Sequence, residues 1–241
     1  MITKSIDKKR AIHIHSKEGK YIKSFVYGGL DGTITTFAVV AGVAGASLSS
    51  SVVLILGFAN LVGDGISMAF GDYLSTKAER EYGSAERKIE EKEGNFPKVE
   101  KRSLMKIFLK QGFSKKDTEK ITSIVCKNKK ACVDLMLAYE LGIAGKKQDP
   151  LRNAAITFGS FILFGFIPLI AYIFSKSISI FQQNTFLMAS VFTGLTLFSL
   201  GAVKCKVTRM NWLRSGIEML LVGGLAAIAA YIIGYFISAI V

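Results

Sequence analysis

Five runs of about 20 mostly apolar residues dominate this chain, and that is the length a helix needs to cross a bilayer while satisfying its own backbone hydrogen bonds in lipid. They cover approximately residues 25–46, 51–74, 154–175, 184–203 and 216–240. Half of the 241 residues are hydrophobic, and a soluble domain of this size seldom combines that with such long uncharged stretches. The expected fold class is therefore an all-α integral membrane protein: five transmembrane helices with a helical cytoplasmic insert between the second and third. The first run does not read as a cleaved signal peptide, because a long charged segment precedes it and no short apolar core with a small-residue cleavage site is visible.

Charge placement orients these helices, since Lys and Arg collect on the cytoplasmic side. Of the 31 basic residues, seven precede the first span and nineteen lie between Leu74 and Ala154. Four more (Lys204, Lys206, Arg209 and Arg214) lie between the fourth and fifth spans, and only Lys176 falls on the opposite side. The N-terminus and insert are thus expected in the cytosol and the C-terminus on the lumenal side. The chain divides into a basic N-terminal segment (1–24), the first two spans (25–74), the insert (75–153) and the last three spans (154–241).

The net charge of +13 also opens a list of nucleic-acid-binding features, but topology accounts for it and no recognition motif accompanies it. No nucleic-acid partner is expected. Membrane lipid is an expected partner, because "IDKKRAIHIHSKEGKYIK" leads directly into the first span and suits an anionic leaflet. Positive-inside charge accounts for that segment equally well. Cys126, Cys132 and Cys205 form no C-x-x-C pair and read as reduced structural thiols. His13 and His15, without further ligands nearby, read as surface residues. No nucleophile with a general base, phosphate loop or H-E-x-x-H motif points to an enzyme or a resident cofactor.

The insert reads as helical throughout. "TKAEREYGSAERKIEEKEG" continues the second span, and "PKVEKRSLMKIFLKQG" has Pro near its start and Gly at its end. "SKKDTEKITSIVCKN" opens with a Ser-x-x-Asp capping pattern, and "KKACVDLMLAYELG" stops at another Gly. At about 100° per residue, Glu79, Glu86, Glu90 and Glu93 fall within an arc of roughly 60°, with Lys88 and Lys92 pointing away. Like charges at this spacing cost on the order of 0.2–0.5 kcal/mol, and a multivalent cation would turn that repulsion into a site. Charged surface decoration, partly balanced by Arg87 and Glu91, is the plainer alternative. Met136 and Glu140 share one face further on, offering one soft and one hard ligand, a pairing that suits a borderline first-row ion better than Ca²⁺ or Mg²⁺.

The same ligand types recur inside the membrane. Asn60, Asp64 and Met68 follow at steps of four in the second span, Asp72 continues the series near the cytoplasmic end as an interfacial residue, and Asp31 supplies a carboxylate from the first span. An ionisable group in a span costs about 2.5–3.5 kcal/mol on the insertion scale, so it usually lines a cavity or pathway. For Asp31 the plainer alternative is a residue near a helix start, flanked by Gly28, Gly29 and Gly32.

The stretch "YGGLDGTITTFAVVAGVAGASLSSSVVLILGFANLVGDGISMAFGDYLS" resembles the first two spans of the vacuolar iron transporter family, the nodulin-21-like membrane transporters. The D-G, A-G-x-x-G-A, G-x-I-S-M and G-x-Y-L-S elements arrive in the family's order. "LMLAYELGI" resembles its M-x-x-x-E-L-G segment and "GFIPLIAYIF" its third span. The resemblance implies a five-span homodimer that moves Fe²⁺, and sometimes Mn²⁺, out of the cytosol in exchange for protons, into a vacuole or another acidic endomembrane compartment. It also implies a pathway between the first two spans at the dimer interface, lined by Asp31 and Met68. The insert would collect metal with Glu90, Glu93, Glu100, Met136 and Glu140, to which helical geometry adds Glu79 and Glu86. The chain departs from the family at Asn60, where a glutamate is common, and at Asp64, where a small residue is usual; a carboxylate relocated by one turn on the same face accounts for both. Ser103 also stands where a further insert glutamate is expected.

From charge alone, proton and metal compete for any carboxylate in such a pathway. A reading from a different class is a membrane-anchored scaffold whose basic insert binds anionic lipid or an acidic partner, a role for which the acidic stripe with Met136 and Glu140 has no use.

Overall fold

In the computed structural model, the structure describes residues 21–92, 96–140, 142, 149–208 and 211–240, with side chains 90–92, 96–100, 140 and 206–208 left out. The described residues are helical: α1 (Ile22–Gly45), α2 (Ser50–Lys92), α3 (Phe96–Lys110), α4 (Lys115–Val125), α5 (Lys129–Glu140), α6 (Pro150–Gly165), α7 (Ile167–Ile173), α8 (Ser179–Gln183), α9 (Thr185–Thr208) and α10 (Trp212–Ser238). Five helical segments are long and apolar enough to cross a membrane: Ile22–Gly45, Ser50–Ile89, Pro150–Lys176, Thr185–Cys205 and Trp212–Ser238. The chain forms two compact units. One holds the residues up to Tyr73 and those from Leu151 onward; the other is Leu74–Pro150.

Small residues set the packing of the transmembrane unit. A Cβ on Gly28 would stand 2.5 Å from the Thr157 carbonyl oxygen, and one on Gly32 would stand 2.9 Å from Phe161 Cα. Backbone therefore meets backbone between α1 and α6, which is how spans associate when lipid removes any hydrophobic preference for helix–helix contact. At the other end of α1, Gly45 approaches the Tyr231 backbone of α10 in the same way. Around these contacts Phe37, Val40, Val53, Leu61, Phe161, Leu169 and Tyr172 form the buried core.

The third span is not one straight helix. α6 stops at Gly165 and α7 resumes at Ile167, because Pro168, in the first turn of α7, has no N–H to give to the preceding turn. The fifth span begins at Trp212 rather than Gly216, since the Asn211 side chain accepts a hydrogen bond from Leu213 N at 2.9 Å and caps it there.

The insert unit has its own small core, in which Leu104, Phe108 and Cys132 are buried against Ile107, Ile121, Val125 and Leu135. Its helix ends follow the sequence pattern. Gly112 takes φ +92° after α3, Ser114 Oγ accepts from Asp117 N at 3.1 Å at the head of α4, and Gly142 takes φ +66° after α5. The reduced state expected for all three cysteines holds for Cys205 alone: Cys126 and Cys132 form a disulfide. The short turn between α4 and α5 brings their Cα atoms to 4.9 Å, within disulfide range.

Gly32→Ala should lower thermal stability by about 1–3 kcal/mol, the range for an overpacked contact. Gly159→Ala, where an added Cβ meets nothing within 4 Å, should leave it unchanged. Fluorescence-detected melting of the purified protein makes the comparison.

Candidate metal-transport site

α1 carries Asp31 and α2 carries Asp64. Asp31 is half-buried nine residues into α1, one turn beyond the close approach at Gly28. Thr35 Oγ1 donates to its backbone carbonyl at 2.8 Å, so that hydroxyl is turned back onto its own helix. Asp64 on α2 stands near enough for its charge to act on Asp31.

The rest of the α2 series surrounds this pair on one helix. Asn60 and Met68 are half-buried, and Met68 packs against the edge of the core. Asp64 is exposed in the single chain. Beside it, Ala59, Gly63, Ser67 and Gly71 recur every four residues, all exposed, and a Cβ on Gly63 or Gly71 would meet nothing within 4 Å. Such a small-residue stripe is what a second helix needs for close approach. Asp72 is half-buried and hydrogen-bonded to Ser24 and Thr157.

On the insert, Glu79 is exposed and Glu86 half-buried along the continuation of α2. Glu93 lies outside the described residues, as do the side chains of Glu90, Glu100 and Glu140. Met136 is buried, at 4% exposure, on the inner side of α5. Arg87 of α2 pairs with Asp134 of α5, two residues before Met136, so the helix bearing the glutamates is tied to the helix bearing the methionine. Among the described residues, no three His, Cys, Asp or Glu side chains gather into one metal-sized group.

Sequence reasoning missed Ser24, Thr157 and the Arg87–Asp134 pair. Hydroxyls inside otherwise apolar helices were the available signal for the first two.

A family profile described as the VIT family matches residues 22–235. The chain belongs to the VIT family. Three relatives show how far the likeness extends. A vacuolar iron transporter of Toxoplasma gondii is 39% identical over 228 residues, covering 92% of this chain and 76% of the relative. One of Plasmodium falciparum is 34% identical over 227 residues, covering 91% and 83%. Vacuolar iron transporter 1 of Arabidopsis thaliana is 32% identical over 221 residues, covering 90% and 86%. With its five apolar helices, this chain is an integral membrane protein of the VIT family.

Proposed function

We propose that this protein is a proton-coupled antiporter that carries Fe²⁺, and also Mn²⁺, from the cytosol into an acidic endomembrane compartment such as a vacuole. The observation that carries the reading is that Asp31 on α1 lies within electrostatic reach of Asp64 on α2, with Asn60 and Met68 four residues to either side of Asp64. An exposed carboxylate on a transmembrane helix costs about 2.5–3.5 kcal/mol on the insertion scale unless it faces water or another protein surface. Asp64 and the small-residue stripe beside it therefore favour a homodimer in which α2 meets its copy, with Asp31, Asn60, Asp64 and Met68 along the pathway. The names of the relatives support iron as cargo and a vacuolar membrane.

The chemistry follows from the ligands. Carboxylate oxygens replace the water shell of a divalent ion, and the Met68 thioether adds a softer ligand that suits Fe²⁺ better than Ca²⁺. Proton and metal compete for the same oxygens, so protonation from an acidic lumen releases the ion there, and return to the cytosolic face releases the protons. Glu79, Glu86, Glu90, Glu93, Glu100, Met136 and Glu140 gather metal on the cytosolic insert, and the C-terminus is lumenal.

Anaerobic Fe²⁺ uptake into proteoliposomes tests this reading. Asp31→Asn and Asp64→Asn should each reduce the initial rate at least about tenfold, the loss expected when a charged ligand is removed, while leaving the protein folded. Full activity in Asp31→Asn contradicts the assignment. In the membrane, Gly63→Cys should form an oxidant-induced disulfide between two copies; a product that stays monomeric on a non-reducing gel contradicts the α2 interface.

A further inference from the structure

The polar series on α2 ends in a contact that the transport reading leaves unused. Asp72 Oδ2 accepts hydrogen bonds from Ser24 Oγ at 2.9 Å and from Thr157 Oγ1 at 2.5 Å. Ser24 lies in the first turn of α1, and Thr157 is fully buried in the middle of α6. One carboxylate oxygen therefore joins three transmembrane segments. An ordinary interfacial aspartate turns its oxygens to water; this one receives hydroxyls that are themselves buried, at 6% and 0% exposure.

Ser24 and Thr157, which donate to Asp72, lie on helices that meet backbone to backbone. Thr157, which donates to Asp72, also supplies the carbonyl against which Gly28 is pressed, and four residues on Gly32 meets Phe161. Neither α1 nor α6 has room to rotate against the other. α2 meets α6 and α7 through apolar contacts, Gly65 on Phe161 and Ile162 and Gly57 on Leu169, which tolerate sliding more readily than a hydrogen bond does. Asp72 adds a directional tie. Met68 and Asp64 precede it by one and two turns, about 6 and 12 Å along the axis. Because each residue turns the helix by about 100°, a slip of one residue at Asp72 would swing Asp64 away from Asp31.

We propose that Asp72 is a positioning residue: clasped by Ser24 and Thr157, it fixes the rotation and register of α2 so that Asp64 and Met68 face Asp31. This rests on the transport reading for its functional consequence and on geometry alone for the clasp. The role needs an acceptor oxygen, not a charge that binds the ion.

Three full-length variants in liposomes test it: Asp72→Asn, which keeps an acceptor; Asp72→Ala, which removes it; and Ser24→Ala with Thr157→Val, which removes both donors and leaves the carboxylate. Fe²⁺ uptake should show KM within about threefold of wild type for Asp72→Asn and raised about tenfold or more for the other two, as loss of the hydroxyl-to-acceptor hydrogen bonds implies. Amide hydrogen exchange over residues 60–73 should be faster in Asp72→Ala and in the double variant than in Asp72→Asn. A wild-type KM in Asp72→Ala, or equal failure of Asp72→Asn and Asp72→Ala, overturns the proposal, the latter because the charge itself is then in use. An unaffected double variant overturns it too. If wild-type protein carries no Fe²⁺ the transport reading falls, and the exchange comparison alone decides the clasp: faster exchange without the acceptor or donors upholds it, and equal exchange overturns it. Should Asp72→Ala fail to fold, the double variant decides.

Discussion

Where Gly32 faces Phe161 there is no room for a side chain, and the contact between α1 and α6 is made by backbone atoms. In lipid, such contacts replace the hydrophobic drive that holds soluble helices together. They hold α1 at a fixed rotation, which in turn fixes the direction in which Asp31 points. α2 must then be placed against that body, and both its apolar glycine contacts and the Asp72 hydrogen bonds serve that placement. An ion site made of two carboxylates from two helices depends on this order: a rigid pair first, and a second helix set against it.

The insert is organised by different physics. It has a conventional buried core, capped helix ends and a disulfide between Cys126 and Cys132. Arg87 of α2 pairs across to Asp134 on α5. Exposed ion pairs of this kind contribute little to stability, on the order of 0–1 kcal/mol. The pair matters more as a geometric link, because it joins the helix that bears Glu79 and Glu86 to the helix that bears Met136.

Much of the fold was legible in the sequence because apolar length and turn chemistry are local properties. The spans followed from runs of about 20 apolar residues, and the insert helices from Pro97, Gly112, Ser114 and Gly142. The interruption at Pro168 was hidden by an apolar run that continues unbroken through it. Asp31 and Asp64 stood out as charges where charges are costly, but their proximity depends on how two helices pack. Ser24 and Thr157 could not be linked to Asp72 by periodicity, since they lie 48 and 85 residues away. The Cys126–Cys132 bond was missed because the turn that joins α4 to α5, not a sequence motif, brings the two thiols together.

At the centre of this account, metal and proton use the same carboxylates, so flux of one must drive the other. The most direct measurement records Fe²⁺ influx and lumenal pH at the same time in anaerobic proteoliposomes with an acidic interior. The account predicts that uptake grows with the pH gradient and that the lumen turns alkaline as Fe²⁺ enters, with no such change when Fe²⁺ is withheld. Fe²⁺ entry that leaves the lumenal pH untouched, or no entry at all with folded protein, would contradict it.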